Sequence, residues 1–193
     1  MGYHSCNLTD VSFYKIEEEF CMILTRDIIL DYIKVGKIRI EPFSPDQVGP
    51  ASIDLTLGNT FRVFNDDNSI IHINSENIDI EKFGRLVVVQ DNKPLIVKPR
   101  QLVLGVTKEK IWLPKNIAGW LMGRSRFARI GLMVHITASF VQPSSQNKQV
   151  LEMFNASNFD IAVYPGVRVC QLILEETKGE AEFKGKFQFQ EKP

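Results

Sequence analysis

QVLEMFNASNFDIAVYPGVRVCQLILEE, residues 149–176, decides the fold class. It divides into three runs rich in Val, Ile, Leu and aromatic residues: QVLEMFNAS, DIAVYPG and VRVCQLILEE. Pro165–Gly166 turns the chain between the last two. Branched and aromatic side chains fit a pleated, half-buried surface, and Pro–Gly marks a turn, so the stretch predicts three strands.

Working back towards the N-terminus, the same rhythm continues. QLVLGVTKEKIWLP at 101–114 predicts a strand followed by a polar turn before Pro114. Ile- and Val-rich segments at 69–73, 86–89 and 95–97 are separated by Asn65-Asp66-Asp67-Asn68 and Asp91-Asn92-Lys93. In SIDLTLGNTFRVF, Ile53, Leu55 and Leu57 share one strand parity, and Gly58–Asn59 supplies a bend. A helix is predicted near the start, with Thr25 as its cap, Ile28, Ile29, Tyr32 and Ile33 on its apolar side, and Gly36 as its stop. GWLMGRSRFARIGLMVH at 119–135 is ambiguous; Ser125 could cap a short helix before a strand at 132–134. The tail from about 178 is polar, carries Phe183, Phe187 and Phe189, and fits a segment that orders on binding better than a core strand. The whole reads as a mainly β domain rather than repeated βαβ units.

The 193 residues balance 23 Lys+Arg against 23 Asp+Glu. That balance gives no bulk attraction for nucleic acid, although a local cationic pocket for a small anion remains compatible with it. No apolar stretch has the length to cross a bilayer. Cys6, Cys21 and Cys170 are odd in number and widely spaced, which argues against a disulfide framework and for a reducing, cytoplasmic setting. Residues 1–21 lack the pattern of a secretory signal and read as an extension of unknown role before a domain at 22–193.

GRSRFARIGLMVH at 123–135 and VLEMFN at 150–155 resemble the dCTP deaminases, within the superfamily they share with the dUTPases. That family's pattern G-R-S-S-x-x-R-x-G, then V-L-E, then P-G-x-x-x-x-Q-L appears as Gly123-Arg124-Ser125-Arg126, Arg129, Gly131, Val150-Leu151-Glu152, Pro165-Gly166 and Gln171-Leu172. PASIDLTLG at 50–58 and Gly185 to Gln190 extend the resemblance over roughly 22–190. It implies a distorted β-barrel or jelly-roll-like fold of dUTPase type, a homotrimer with active sites at subunit interfaces, and dCTP accompanied by Mg2+ on its triphosphate.

Hydrolytic deamination needs an activated water and a group that carries its proton. The resemblance assigns that carrier to Glu152; the residues alone leave a surface-facing strand glutamate equally open. Ser125 and Arg129 match the positions that orient the water and support charge, where losing one preorganised partner costs about 3–4 kcal/mol. Arg124 matches a phosphate-contacting arginine, and Arg126 stands where the family has a second serine. Ala138 matches a small residue beside the base, Gln171 a common strand glutamine, and Lys186, Phe187 and Gln190 the triphosphate contacts of the tail. No protein-bound zinc is expected: His4, His72 and His135 are far apart, and the His-x-Glu and Pro-Cys-x-x-Cys elements of zinc deaminases are absent.

The segment at 138–149 departs from the family's A-x-x-I-D-P-G-x-x-G: Gln142 replaces the aspartate, Ser144 and Asn147 the two glycines. A neutral amide accepts a hydrogen bond but cannot take a proton from water. The expected reaction is therefore dCTP to dUTP and ammonia. The alternatives are a bifunctional enzyme that releases dUMP, and a non-catalytic nucleotide-binding relative.

Overall fold

The computed structural model describes residues 22–66, 70–74, 78–90 and 92–193. The extension at 1–21, with His4, Cys6 and Cys21, lies outside the described residues, as do Asp67 and Asn68, residue 69, and Asp91. The chain runs through helix α1 (Arg26–Lys34), β1 (Arg39–Glu41), β2 (Ile53–Thr56), β3 (Thr60–Phe64), β4 (Gly84–Val88), β5 (Leu95–Val97) and β6 (Leu102–Trp112). β7 (Ile117–Gly123) leads into helix α2 (Ser125–Ala128). β8 (Leu132–Met133), β9 (Phe140–Val141), β10 (Gln146–Asn155), β11 (Ile161–Val163) and β12 (Arg168–Glu176) follow.

One sheet has the order β4–β3–β6–β10–β8, with β1 also on β6; a second has the order β2–β12–β7–β9, and β11 pairs with β5. Every strand pair is antiparallel. The protein is mainly β, with short helices on a distorted jelly-roll-like frame. The three strands predicted within 149–176 are β10, β11 and β12.

Alternation explains where the core lies, because every second residue of a strand faces the same side. Ile53, Leu55 and Leu57 are all fully buried, as their shared parity predicts. On β10, Leu151 and Met153 are fully buried, whereas Val150, Glu152 and Phe154 are half-buried on the other side. Glu152 is thus placed at the core's margin by its parity alone.

Several local expectations fail. Lys108-Glu109-Lys110 is no turn; β6 continues through it to Trp112. Its ladder with β10 shifts between Lys148 and Val150, where Lys148 pairs with Lys110 but Val150 with Val106. The extra residues form a bulge that turns Thr107 and Glu109 inward, both buried. Gln47 Nε2 and the Thr56 N–H each donate to Glu109 at 2.8 Å, and the Gln149 N–H donates to Thr107 Oγ1 at 2.9 Å. The polar residues are satisfied inside the sheet, so no turn is needed. Ser125 is the first residue of α2 and not its cap, which is Arg124. In α1, Ile29 is buried but Ile28 is exposed. Residues 70–73 form no strand. Among the described residues, no helix is long and apolar enough to cross a membrane.

Candidate active site

Glu152 lies on β10 opposite Leu104 of β6 and faces a cleft of about 360 Å³. The chain between β8 and β9 folds over it. The Thr137 N–H donates to Glu152 Oε2 at 2.8 Å, the Ile136 N–H at 3.2 Å and the Thr137 hydroxyl at 3.2 Å. Among the described residues, no hydrogen bond reaches Oε1. Burial pushes this carboxyl up, but the Thr137 N–H, the coulombic pull of His135, the Thr137 hydroxyl and the Ile136 N–H outweigh it. Together they hold it below the usual carboxylate range. The group is a carboxylate at neutral pH, with one oxygen anchored and the other open to a ligand.

Ala138, Gln142, Phe187 and Gln190 line the same cleft as Glu152. Lys186 lies in the adjoining groove, which shares Phe187 and Gln190, and its Nζ sits 5.8 Å from the Phe187 ring centre. His135 also lines the cleft: its Nδ1 accepts from the Glu152 N–H at 3.5 Å, and its buried Nε2 meets no partner among the described residues.

Other predicted residues lie elsewhere in the chain. Arg124 Nη2 pairs with Asp54 Oδ2 at 3.1 Å, and its Nη1 donates to the Arg168 carbonyl at 2.9 Å. Gln171 accepts from the Ser52 hydroxyl at 3.1 Å and donates to the Gly123 carbonyl at 3.4 Å, so it braces the end of β7. Ser125, Arg126 and Arg129 are exposed on or just after α2 and do not line the Glu152 cleft. Within one chain, therefore, Glu152 and Arg129 do not meet.

Sequence reasoning missed Thr137, whose amide and hydroxyl cradle the carboxylate; its place directly before Ala138 was the one available signal. It also missed Phe183 and Asn147 as lining residues. Among the described residues, no group of three or more His, Cys, Asp or Glu side chains could hold a metal ion. Cys170 is fully buried, and burial, followed by the charges of Glu109 and Asp54, pushes its thiol far up, so it is no nucleophile.

The model of a family described as dCTP deaminase-like matches residues 23–177. A dCTP deaminase of Marinomonas sp. (strain MWYL1) is 41% identical over 165 residues, covering 81% of this chain and 84% of that protein. A dUMP-forming dCTP deaminase of Coprothermobacter proteolyticus is 35% identical over 176 residues, covering 89% and 94% of the two chains. A third relative, from Corynebacterium diphtheriae and also dUMP-forming, is 38% identical over 150 residues, covering 78% and 79%. The crystal structure of 2′-deoxycytidine 5′-triphosphate deaminase from Agrobacterium tumefaciens shares the fold, with a TM-score of 0.63 at 20% identity over 81% of this chain. This chain spans about half of that one, 48%.

Seven of the eight relatives compared are named dUMP-forming, which overturns the expectation of an enzyme that stops at dUTP. That expectation leaned on one position, Gln142, as though diphosphate release depended on a carboxylate there. With a match running from before α1 to just past β12, and relatives this similar over most of its length, the chain belongs to the dCTP deaminase-like family.

Proposed function

We propose that this chain converts dCTP and water to dUMP, ammonia and diphosphate. One observation carries the reading: a carboxylate anchored on a single oxygen by two amides and a hydroxyl, in a cleft that also holds Ala138, Gln142 and the aromatic tail. Ionised at rest, Glu152 accepts a proton from water as the oxygen adds to C4 of cytosine. It passes that proton to ring N3, then takes the proton of the new C4 hydroxyl as the carbonyl forms and hands it to the amino group, which leaves as ammonia. Gln142 holds a sugar hydroxyl through its amide. A second water attacks the α-phosphorus, the bond from that phosphorus to the bridging oxygen breaks, and diphosphate leaves carrying the water's proton.

Ser125 and Arg129 reach the cleft from a neighbouring subunit of a homotrimer. Their exposure on and just after α2 supports this, as do the exposed apolar side chains of Ile130, Met133, Ile136 and Phe140 around helix and cleft. Mg2+ enters as part of the substrate, on the triphosphate oxygens, with Lys186 as a cationic partner and Arg124 brought in beside Ser125 from the neighbouring subunit as another. Such a nucleotide makes the cytoplasm the expected compartment.

The test is incubation with dCTP and Mg2+, followed by separation of dUTP and dUMP and assay of ammonia and diphosphate. Ammonia and diphosphate in equal amounts are expected. Accumulation of dUTP without diphosphate, or no turnover at all, would refute the proposal.

A further inference from the structure

After β12 the chain turns back and runs along the start of β10, so that Phe183, Phe187 and Gln190 wall the Glu152 cleft. The Gln146 N–H donates to the Gln188 carbonyl at 3.2 Å, and the Lys148 N–H to the Gln190 carbonyl at 3.0 Å. Two side chains add to this backbone pairing. The Phe183 N–H donates to Ser144 Oγ at 2.7 Å, and Asn147 Nδ2 donates to the Phe187 carbonyl at 2.7 Å. Both residues are buried.

Neither residue is there by backbone preference. Ser144 has φ +62°, a conformation that favours glycine, yet its hydroxyl is the group that the tail meets. Asn147 is oriented from behind, because Gln149 Nε2 donates to its Oδ1 at 2.6 Å and so directs the amide nitrogen towards Phe187. These are the two positions at which the resembling pattern has glycine, and glycine could make neither bond. Buried Arg62 supports the far end, its Nε donating to the Pro193 carbonyl at 3.2 Å. All these anchors belong to the chain itself.

We infer that Ser144 and Asn147 are positioning residues that latch the C-terminal tail over the Glu152 cleft, so that the tail forms part of the site's wall before substrate binds. Binding energy then need not be spent on ordering the tail, and the Michaelis constant is lowered. Only the kinetic arm of the test rests on the proposed deamination.

The variants are Ser144→Gly, Asn147→Ala and their combination, in the intact protein. The first readout is trypsin cleavage after Lys184 and Lys186 without nucleotide. A hydrogen bond of ordinary net strength predicts about five-fold faster cleavage for each single variant and about 25-fold for the double. The second readout is the kinetics of dCTP turnover, where KM should rise by similar factors and kcat should fall by less. Glycine suits the backbone at 144, so Ser144→Gly should melt no lower than the parent, which separates latch loss from misfolding. Cleavage of the double variant at the parent rate would overturn the latch, and so would faster cleavage with an unchanged KM. If the parent turns over no dCTP, the deaminase reading fails, while the protease arm still decides the latch.

Discussion

Glu152→Gln separates holding the loop from moving the proton. Oε2 receives the Thr137 N–H at 2.8 Å, the Ile136 N–H at 3.2 Å and the Thr137 hydroxyl at 3.2 Å. The amide oxygen of glutamine can accept all three, so the segment between β8 and β9 keeps its shape. What is lost there is charge assistance, about 1–2 kcal/mol in total, since neutral bonds are roughly half as strong. What disappears is the proton acceptor on the other oxygen. Removing a general base typically costs about 10²–10⁴ in rate, or about 3–5.5 kcal/mol at 1.36 kcal/mol per tenfold. The assay is ammonia release at saturating dCTP, with urea unfolding measured in parallel. A pH series adds a further check. The parent carboxyl is held below its usual range, so its stabilising effect is complete above the unfolded carboxylate value and is lost as pH falls through the lower folded one. The unfolding midpoints of parent and variant should therefore converge in acid. A variant keeping more than about a tenth of the parent kcat would refute the proton-carrier role, as would a loss that merely tracks unfolding.

Interfacial sites predict complementation: Glu152→Gln and Arg129→Ala chains, each inactive alone, should recover about one quarter of the parent activity when mixed equally and reassembled. No recovery would refute a site shared between subunits. Glu109→Leu should cost about 2–4 kcal/mol in urea unfolding, because Gln47 Nε2 and the Thr56 N–H lose their buried acceptor. Gly131→Ala should also cost about 2–4 kcal/mol by the same measurement, since φ is +85° and an added Cβ would lie 2.9 Å from Ser157 Cβ.

The strands were legible wherever hydrophobic parity was local: Ile53, Leu55 and Leu57 announced their burial, and β10 to β12 could be read directly. Glu152 stood out because a carboxylate interrupts an apolar run. Glu109 was misread because its partners, Gln47 and Thr56, are more than fifty positions away and a buried polar residue has no local signature. Arg124 was legible as a cation but not as the partner of Asp54, which faces it across the β12 ladder. Arg129 lies exposed just past α2, away from the lining of the Glu152 cleft, and its local sequence carried no signal of that. The tail was read as polar and loose because its holding contacts, at Ser144 before β10 and Asn147 on it, come from a distant segment whose residues looked like damage to a motif.

The alternation on β10 sets how this enzyme can change. Lys148, Val150 and Glu152 border the cleft, while Leu151 and Met153, interleaved with Val150 and Glu152, anchor the interior. Point substitutions at Lys148 or Val150 can retune ligand preference while the hydrophobic packing stays untouched. A single inserted or deleted residue within the strand would exchange the two columns, driving a carboxylate inward and presenting methionine to the nucleotide. Drift in residue identity is therefore tolerable at Lys148 and Val150, and drift in the strand's length is not.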